Sequence, residues 1–212
     1  MKDIPVFTTE NGVASLTLRE IPYRAAAYVR IQSSQDPREL IRECADFCRV
    51  CGAEHVYAAG CPELEAYPLH TAVLEMSCGV SRLPDTDAQL WPVREHNLEN
   101  FRTLYNERMA QVPNAAWMTE KMGREMLEKG DGCFIHREDE LLGLGRASGN
   151  RLDAVIALVP GAGAEVVSAL AHMLHTEQVV LEVASANTRA VRLYGKLGFT
   201  CTREISRWFE IF

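Results

Sequence analysis

Between Ala184 and Glu204 the sequence reads ASANTRAVRLYGKLGFTCTRE, which gathers an amide (Asn187), a phenol (Tyr194) and cations that include Arg189, Arg192 and Lys196 into one short block. Asn187 stands just past an apolar run, VVLEVA, and in α/β sheets ligands bind in the crevice beyond the strand ends. Thr188 stands where it can cap a helix, and Ala190, Val191, Leu193 and Leu197 form that helix's apolar set, with Tyr194 beside it. The segment is either a surface helix with a tyrosine in it or the wall of a ligand site. In a chain of formal net charge −7, a local rim of Arg189, Arg192 and Lys196, with Arg146 and Arg151 nearer the middle, suits an anionic ligand; the plain alternative is a solvated helix face. A second cluster, Cys44, Cys48 and Cys51 on one helical face, is read as small buried residues. Three thiolates on one helix do not surround a tetrahedral zinc, and no His or Cys pair follows at finger spacing, so no metal site is expected.

Composition limits the function classes. Of 212 residues, 47% are hydrophobic and 24% charged, so the chain builds a real core. The acidic balance argues against a broad nucleic-acid surface, which needs clustered Lys and Arg. No apolar run approaches the roughly 20 residues of a membrane span, and MKDIPVFTTENG lacks the apolar stretch of a signal segment. The expectation is a cytoplasmic protein without membrane or nucleic-acid partners, as a monomer or homodimer. Seven cysteines, an odd count, are unproblematic in a reducing compartment.

The elements that must position these residues follow from periodicity and punctuation. Near the N-terminus, VASLTLREI and AAAYVRIQS read as strands with Pro22 between them. A helix follows over DPRELIRECADFCRVC: Asp36 at the N-cap, Pro37 at the first position, Leu40, Ile41, Cys44, Phe47, Cys48 and Cys51 at helical spacing, Gly52 at the end. HVYAAG and TAVLEMSCG read as strands. SRLPDTDAQLWP has the character of a connector, which divides the chain into a small α/β part, residues 1–85, and a larger part, 86–212. From Leu90 the expected order is β-α-α-β-β-β-α-β-α-β-β: Asn97 caps one helix, Thr119 and Gly130 bracket the next, the hairpin turns at Glu138 to Glu140, and FTCTREISRWFEIF supplies two last strands. Strands joined through helices call for a mixed sheet with helices on both faces. Both parts also carry a helix followed by a strand with an Ala-rich end, HVYAAG and VLEVAS, an echo that is either chance or a sign of two related halves.

Ala190, Leu193, Tyr194, Lys196, Gly198 and Phe199 reproduce the A-x-x-L-Y-x-K-x-G-F pattern. In this the segment resembles the C-terminal signature of the GCN5-related N-acetyltransferases (GNAT), and the element order from Leu90 to Phe212 is similar to theirs. The resemblance implies the mixed-sheet acyl-CoA N-acyltransferase fold, with residues 1–85 as an additional α/β subdomain or a partial second copy. It further implies acetyl-CoA held where LDAVIALVP and EQVVLEVAS splay apart. Asn187 would bond the cofactor or order its loop, and Tyr194 would protonate the leaving thiolate. For the general base it leaves Glu182, Asp153, Glu138, Glu140 and His136, with Glu182 the choice carried forward; each also reads as a surface group.

The family's phosphate loop, R/Q-x-x-G-x-G/A, is altered here to LVPGAGAEV. One register sets Leu158 at the basic position and Gly161 and Gly163 on the glycines; another sets Pro160 there, with Gly163 and Glu165. Gly161, Ala162, Gly163 and Ala164 still permit close backbone approach, although GAG is also an ordinary tight turn. Glu165 would repel a pyrophosphate, and Pro160 lacks an N–H. Trp91, Trp117, Trp208 and Phe209, with the apolar connection QVPNAAWM, are candidates for a substrate mouth, with core or interface as the alternative. The expected function is transfer of acetyl from acetyl-CoA to a primary amine of a small molecule or peptide. The rival is a non-catalytic ligand- or protein-binding module of the same fold.

Overall fold

The computed structural model describes residues 5–212. They form two compact units: the described part of Met1–Val73 together with Ile205–Phe212, and Leu74–Glu204. These limits differ from 1–85 and 86–212. The connector does not separate the units, because its Leu83 is buried in the core of the second. The end of the chain belongs to the first.

The first unit contains β1 (Val6–Thr9), β2 (Gly12–Thr17), the short α1 (Ile21–Arg24), β3 (Ala26–Ser34), α2 (Pro37–Val50), β4 (His55–Ala59) and the first residues of β5 (Leu69–Gly79). β1, β2 and β3 are antiparallel neighbours, whereas β3 and β4 are parallel and joined through α2. The start of α2 is as its sequence predicts: Pro37 opens it and the Asp36 side chain accepts from the Glu39 N–H at 3.2 Å. Leu40, Ile41, Cys44 and Cys48 pack on Ala14, Leu16, Ala27, Val29, Ile31, Val56 and Ala58, and each fully buried aliphatic side chain contributes about 1.5–3 kcal/mol. Burial pushes the Cys44 and Cys48 thiols up to about 12, as for thiols that pack rather than react, while Cys51 is exposed. The opposite sheet face carries Tyr28, Tyr57, His70 and Trp208, with the Arg30 guanidinium 5.2 Å from the centre of the Trp208 ring. Phe209 is buried in this unit's core, which removes it from any substrate mouth.

The second unit runs β6 (Gln89–Pro92), α3 (Leu98–Met109), α4 (Glu120–Lys129), β7 (Gly132–Arg137), β8 (Glu140–Ser148), β9 (Arg151–Ala157), α5 (Gly163–Met173), β10 (Gln178–Ala184), α6 (Thr188–Lys196) and the start of β11 (Thr200–Glu210). Its strands lie in the order β5-β10-β9-β8-β7-β6. α5 and α6 pack on one face around Leu142, Leu152, Val179, Leu181 and Val183; α3 and α4 pack with Phe134, Leu144, Ala154 and Ile156 in a second cluster. Thr119 caps α4 and Gly130 closes it in a left-handed conformation, as expected. Asn97 does not cap α3. Its Oδ1 accepts instead from the Arg94 N–H at 2.7 Å in the preceding turn.

The expected pair of final strands is one strand, β11. TCTREISRWFE contains neither Gly nor Pro, so nothing breaks the extended run. The strand beside β10 is β5, drawn from earlier in the chain. Among the described residues no helix is long and apolar enough to cross a membrane.

Candidate functional site

The parallel strands β9 and β10 separate soon after they meet. They share the partners Arg151 with Val180 and Leu152 with Leu181, after which β9 runs on to Ala157 and β10 to Ala184 without further pairing between them. On its other edge β9 stays paired with β8 as far as Ala157 opposite Gly143. The result is a fork between two strands whose facing backbone groups lack a strand partner, and such groups need one from elsewhere. It lies where the resemblance implies a splay, between LDAVIALVP and EQVVLEVAS.

At the open end of the fork the chain turns from β9 into α5. Gly161 takes a positive φ of 91°, a conformation that favours glycine. The Ala162 N–H is committed to the Val159 carbonyl at 3.2 Å. Among the described residues no side chain caps α5, and the N–H groups of Gly163, Ala164 and Glu165 have neither a helical partner nor a cap there, which is the local chemistry of an anion site. Gly163 lies close to Leu193. A Cβ there would lie 2.7 Å from Leu193 Cδ2, so the first turn of α5 sits directly against α6. The Glu165 carboxylate is turned aside and paired with Arg137 at 3.0 Å, and Arg137 also holds Glu140 at 3.2 Å. This answers the repulsion that the sequence raised. Leu158 presents its side chain to the α3/α4 cluster and its carbonyl to Arg108.

Asn187 caps α6, its Oδ1 accepting from the Ala190 N–H at 3.3 Å; Thr188 is the first helical residue and not the cap. Asn187 thus orders the loop. Tyr194 faces the α5/α6 core, 7% exposed, with its ring 5.6 Å from that of Phe199. Burial pushes its phenol up to about 12. Its hydroxyl makes no hydrogen bond among the described residues, yet the oxygen is not among the fully enclosed orphan atoms. Arg189, Arg192 and Lys196 are exposed on α6. Arg146 and Arg151 are not part of a basic rim, because each is neutralised: Arg146 by Asp131 at 2.9 Å, Arg151 by Glu182 at 2.6 Å.

Glu182 and Asp153 are the residues that follow the last shared pair on β10 and β9, so they flank the fork at its base. Glu182 alternates with Leu181 and Val183 and therefore points away from the core that holds Tyr194. Around it lies a charged strip: Arg151 bridges Glu182 and Asp153, the latter at 3.8 Å, and the Ser148 hydroxyl donates to Asp153 at 3.2 Å. Further along, Arg203 pairs with Glu75 at 2.9 Å. Its hydrogen bond from Arg203, then that from Thr202, holds the Glu75 carboxyl below the usual range. His136 sits on β7 beside Trp91, and Glu138 and Glu140 are exposed at the hairpin. Among the described residues no group of three His, Cys, Asp or Glu is arranged to hold a metal ion.

Two residues of the second unit escape sequence reading. Arg108, in the last turn of α3, donates to the Leu158 carbonyl at 3.2 Å; in sequence it is indistinguishable from a cation favouring a helix C-terminus. Asn114, in the α3–α4 connection, adopts a φ of 59°; Pro-Asn marks a turn but nothing more.

No family model matches the chain, and no curated protein matches it in sequence. Solved structures match it in fold. A GCN5-related N-acetyltransferase from Sphaerobacter thermophilus superposes with a TM-score of 0.57 at 13% identity, over 94% of this chain and 76% of that one. A tandem GNAT protein from the clavulanic acid biosynthesis pathway gives 0.50 at 12% identity, over 94% and 78%. A conserved protein of unknown function from Staphylococcus epidermidis gives 0.61 at 11% identity, over 99% and 94%. The chain therefore has the mixed-sheet α/β fold of the GNAT acyltransferases, and its N-terminal unit is compatible with the two-part members.

Proposed function

We propose that this chain, built on the GNAT fold, is an acyltransferase that moves an acetyl group from acetyl-CoA to a primary amine of a small molecule or peptide. The observation that carries the reading is the β9/β10 fork opening beside the uncapped N-terminus of α5. The unpaired strand edges suit the amides of a pantetheine arm, and the free N–H groups of Gly163, Ala164 and Glu165 suit a pyrophosphate. Leu158, Gly161 and Ala162 shape that turn. Asn187 holds the start of α6, from which Arg189, Arg192 and Lys196 supply positive charge at the rim. Acetyl-CoA would bring a thioester, whose carbonyl carbon is open to attack by a neutral amine.

The chain's own groups address the proton transfers. Glu182, with Asp153 beside it, lies on one side of the fork and accepts the proton released by the attacking amine. Tyr194 lies on the α5/α6 side and donates its proton toward the sulfur. A C–N bond forms as the C–S bond breaks, with the amine proton on the carboxylate and the phenol proton on the thiolate. Holding both reactants at the fork supplies much of the rate enhancement without a covalent intermediate.

A second reading rests on Tyr194 itself. With its phenol at about 12, giving a proton to a thiolate near 8.5–9 is uphill by about 4 kcal/mol unless the same burial raises the thiol. That favours a module which binds acetyl-CoA without turning it over. Calorimetric titration with acetyl-CoA and coenzyme A, followed by an amine screen, tests both. Micromolar binding with amine acetylation, and a drop in kcat of about 100-fold or more in Tyr194→Phe at unchanged acetyl-CoA affinity, supports the enzyme. Binding without turnover supports the module, and no binding at millimolar ligand removes both.

A further inference from the structure

Arg146, Arg151 and Arg203, on strands of the second unit, each face a carboxylate, and Arg151 does so differently. Arg146 grips Asp131 with two parallel bonds, Nε to Oδ1 at 3.2 Å and Nη2 to Oδ2 at 2.9 Å. Arg203 grips Glu75 in the same way, at 3.1 and 2.9 Å, and the Thr202 hydroxyl adds a further bond to Glu75 at 3.0 Å. Both pairs are closed on themselves, each fork of N–H groups matched to both oxygens of its partner. Arg151 makes one such bond, Nη2 to Glu182 Oε1 at 2.6 Å, and its Nε stands 3.8 Å from Asp153 Oδ1, outside hydrogen-bond range. Its charge is matched, but its Nη1 and the Oε2 of Glu182 have no hydrogen-bond partner among the described residues.

This open pair stands at the base of the fork. Arg151 holds one of the two positions β9 shares with β10, and Glu182 and Asp153 are the first residues beyond the last shared pair. The Arg151 and Glu182 side chains are 39% and 45% exposed, on the sheet face away from the core around Tyr194, so a ligand reaches both. Two carboxylates against one guanidinium leave the spot one positive charge short. A free acceptor therefore lies beside a free donor edge, in a place that lacks a cation. An ammonium alone answers Glu182 and leaves the guanidinium edge unused; a carboxylate alone answers the guanidinium and adds negative charge. A ligand that carries both on one carbon answers both.

We propose that the base of the fork recognises a free α-amino acid, its ammonium on Glu182 beside Asp153 and its carboxylate on Arg151. Calling the amino acid the acetyl acceptor rests on the acyltransferase reading; its recognition by Arg151 and Glu182 does not.

The test is calorimetry of the full chain, with and without saturating coenzyme A, using alanine, serine, leucine and lysine, each against its α-carboxamide, which keeps the amine and loses the anion. Initial rates with acetyl-CoA follow. At least one of the acids is expected to bind about 10-fold tighter or more than its amide, the size of one charge-assisted hydrogen bond. Arg151→Gln should bring acid and amide within roughly threefold. Arg151→Lys, which keeps the charge but loses the planar fork, should retain part of the preference. Glu182→Gln should weaken acid and amide alike, since both bring the amine. Melting curves of the three variants establish that they fold. No binding of any of the four acids, equal affinity for acid and amide, or a preference that survives Arg151→Gln overturns the proposal. Amino-acid binding through Arg151 without acetyl transfer keeps the proposal and removes the acyltransferase reading. Acetylation of the amides as efficiently as the acids does the reverse.

Discussion

Both units contain a crossover from one strand through a helix to a parallel strand, and they finish it in opposite ways. In the first, β3 and β4 pair over five positions, Ala26 with His55 through Arg30 with Ala59. The helix between them is capped by the carboxylate of Asp36. In the second, β9 and β10 share two positions and part, and α5 begins on Ala162 with no side-chain cap. The positive end of α2 is thus answered from within, and the facing edges of its strands are used. At α5 the same kind of end is left open, next to strand edges that have lost their partners. One architecture gives a capped, fully paired crossover in one place and an uncapped, parted one in the other, and the difference lies in a cap and a few ladder positions.

The largest effect on this contrast is expected from closing the second crossover. Gly163→Val drives a side chain into Leu193 and should lower acetyl-CoA affinity about 100-fold, with about 1–3 kcal/mol of stability lost to overpacking, measured by calorimetry and denaturant titration. Unchanged affinity would show that the α5 N-terminus takes no part in binding. Next, Ala162→Asp imports the carboxylate of the first unit to the start of α5; affinity should fall about 10-fold from repulsion of the phosphates, and high salt should narrow the difference. A smaller change follows from removing the cap where it exists. Asp36→Ala should cost about 1 kcal/mol of stability and leave acetyl-CoA affinity as it was.

The smallest effect concerns proton linkage at Tyr194. Burial raises this phenol to about 12, above the value near 10 of an unfolded tyrosine, so the folded state holds the proton more tightly. Its contribution is complete below pH 10 and is lost as pH rises toward 12. Thermal melts across that window should fall more steeply for the wild type than for Tyr194→Phe. Equal slopes would mean that the phenol reaches solvent freely.

Much of the scaffold was legible because its causes are local. Asp36, Pro37 and the spacing of Leu40, Ile41, Cys44 and Cys48 predict α2; Thr119 and Gly130 bracket α4; the acidic turn at Glu138 joins β7 to β8. The fork was legible only through the resemblance carried by the α6 segment, since nothing in VVLEVA or LDAVIALVP says where pairing stops. Thr188 was mistaken for a cap because both it and Asn187 can serve, and the backbone chose the earlier one. The two final strands became one because no turn residue interrupts β11.

The electrostatics were the least legible. Arg146 and Arg151 read as free cations until Asp131 and Glu182 were found against them. Glu165 read as a repulsive charge until Arg137 was found to hold it. Asn106, inside α3, and Asn114, in the connection after it, are the same residue type; Asn106 is hydrogen-bonded and Asn114 has no partner among the described residues, and residue type does not distinguish them.

By itself the sequence determined the longer helices, the caps of α2 and α4, the hairpin and most of the apolar faces, because those depend on interactions within a few residues along the chain. Only the tertiary structure decided which strands lie side by side, where β9 and β10 part, which charges are neutralised and which amide is left unanswered. Each of those is settled by groups distant in sequence, brought together only when apolar faces from separate elements are buried against one another.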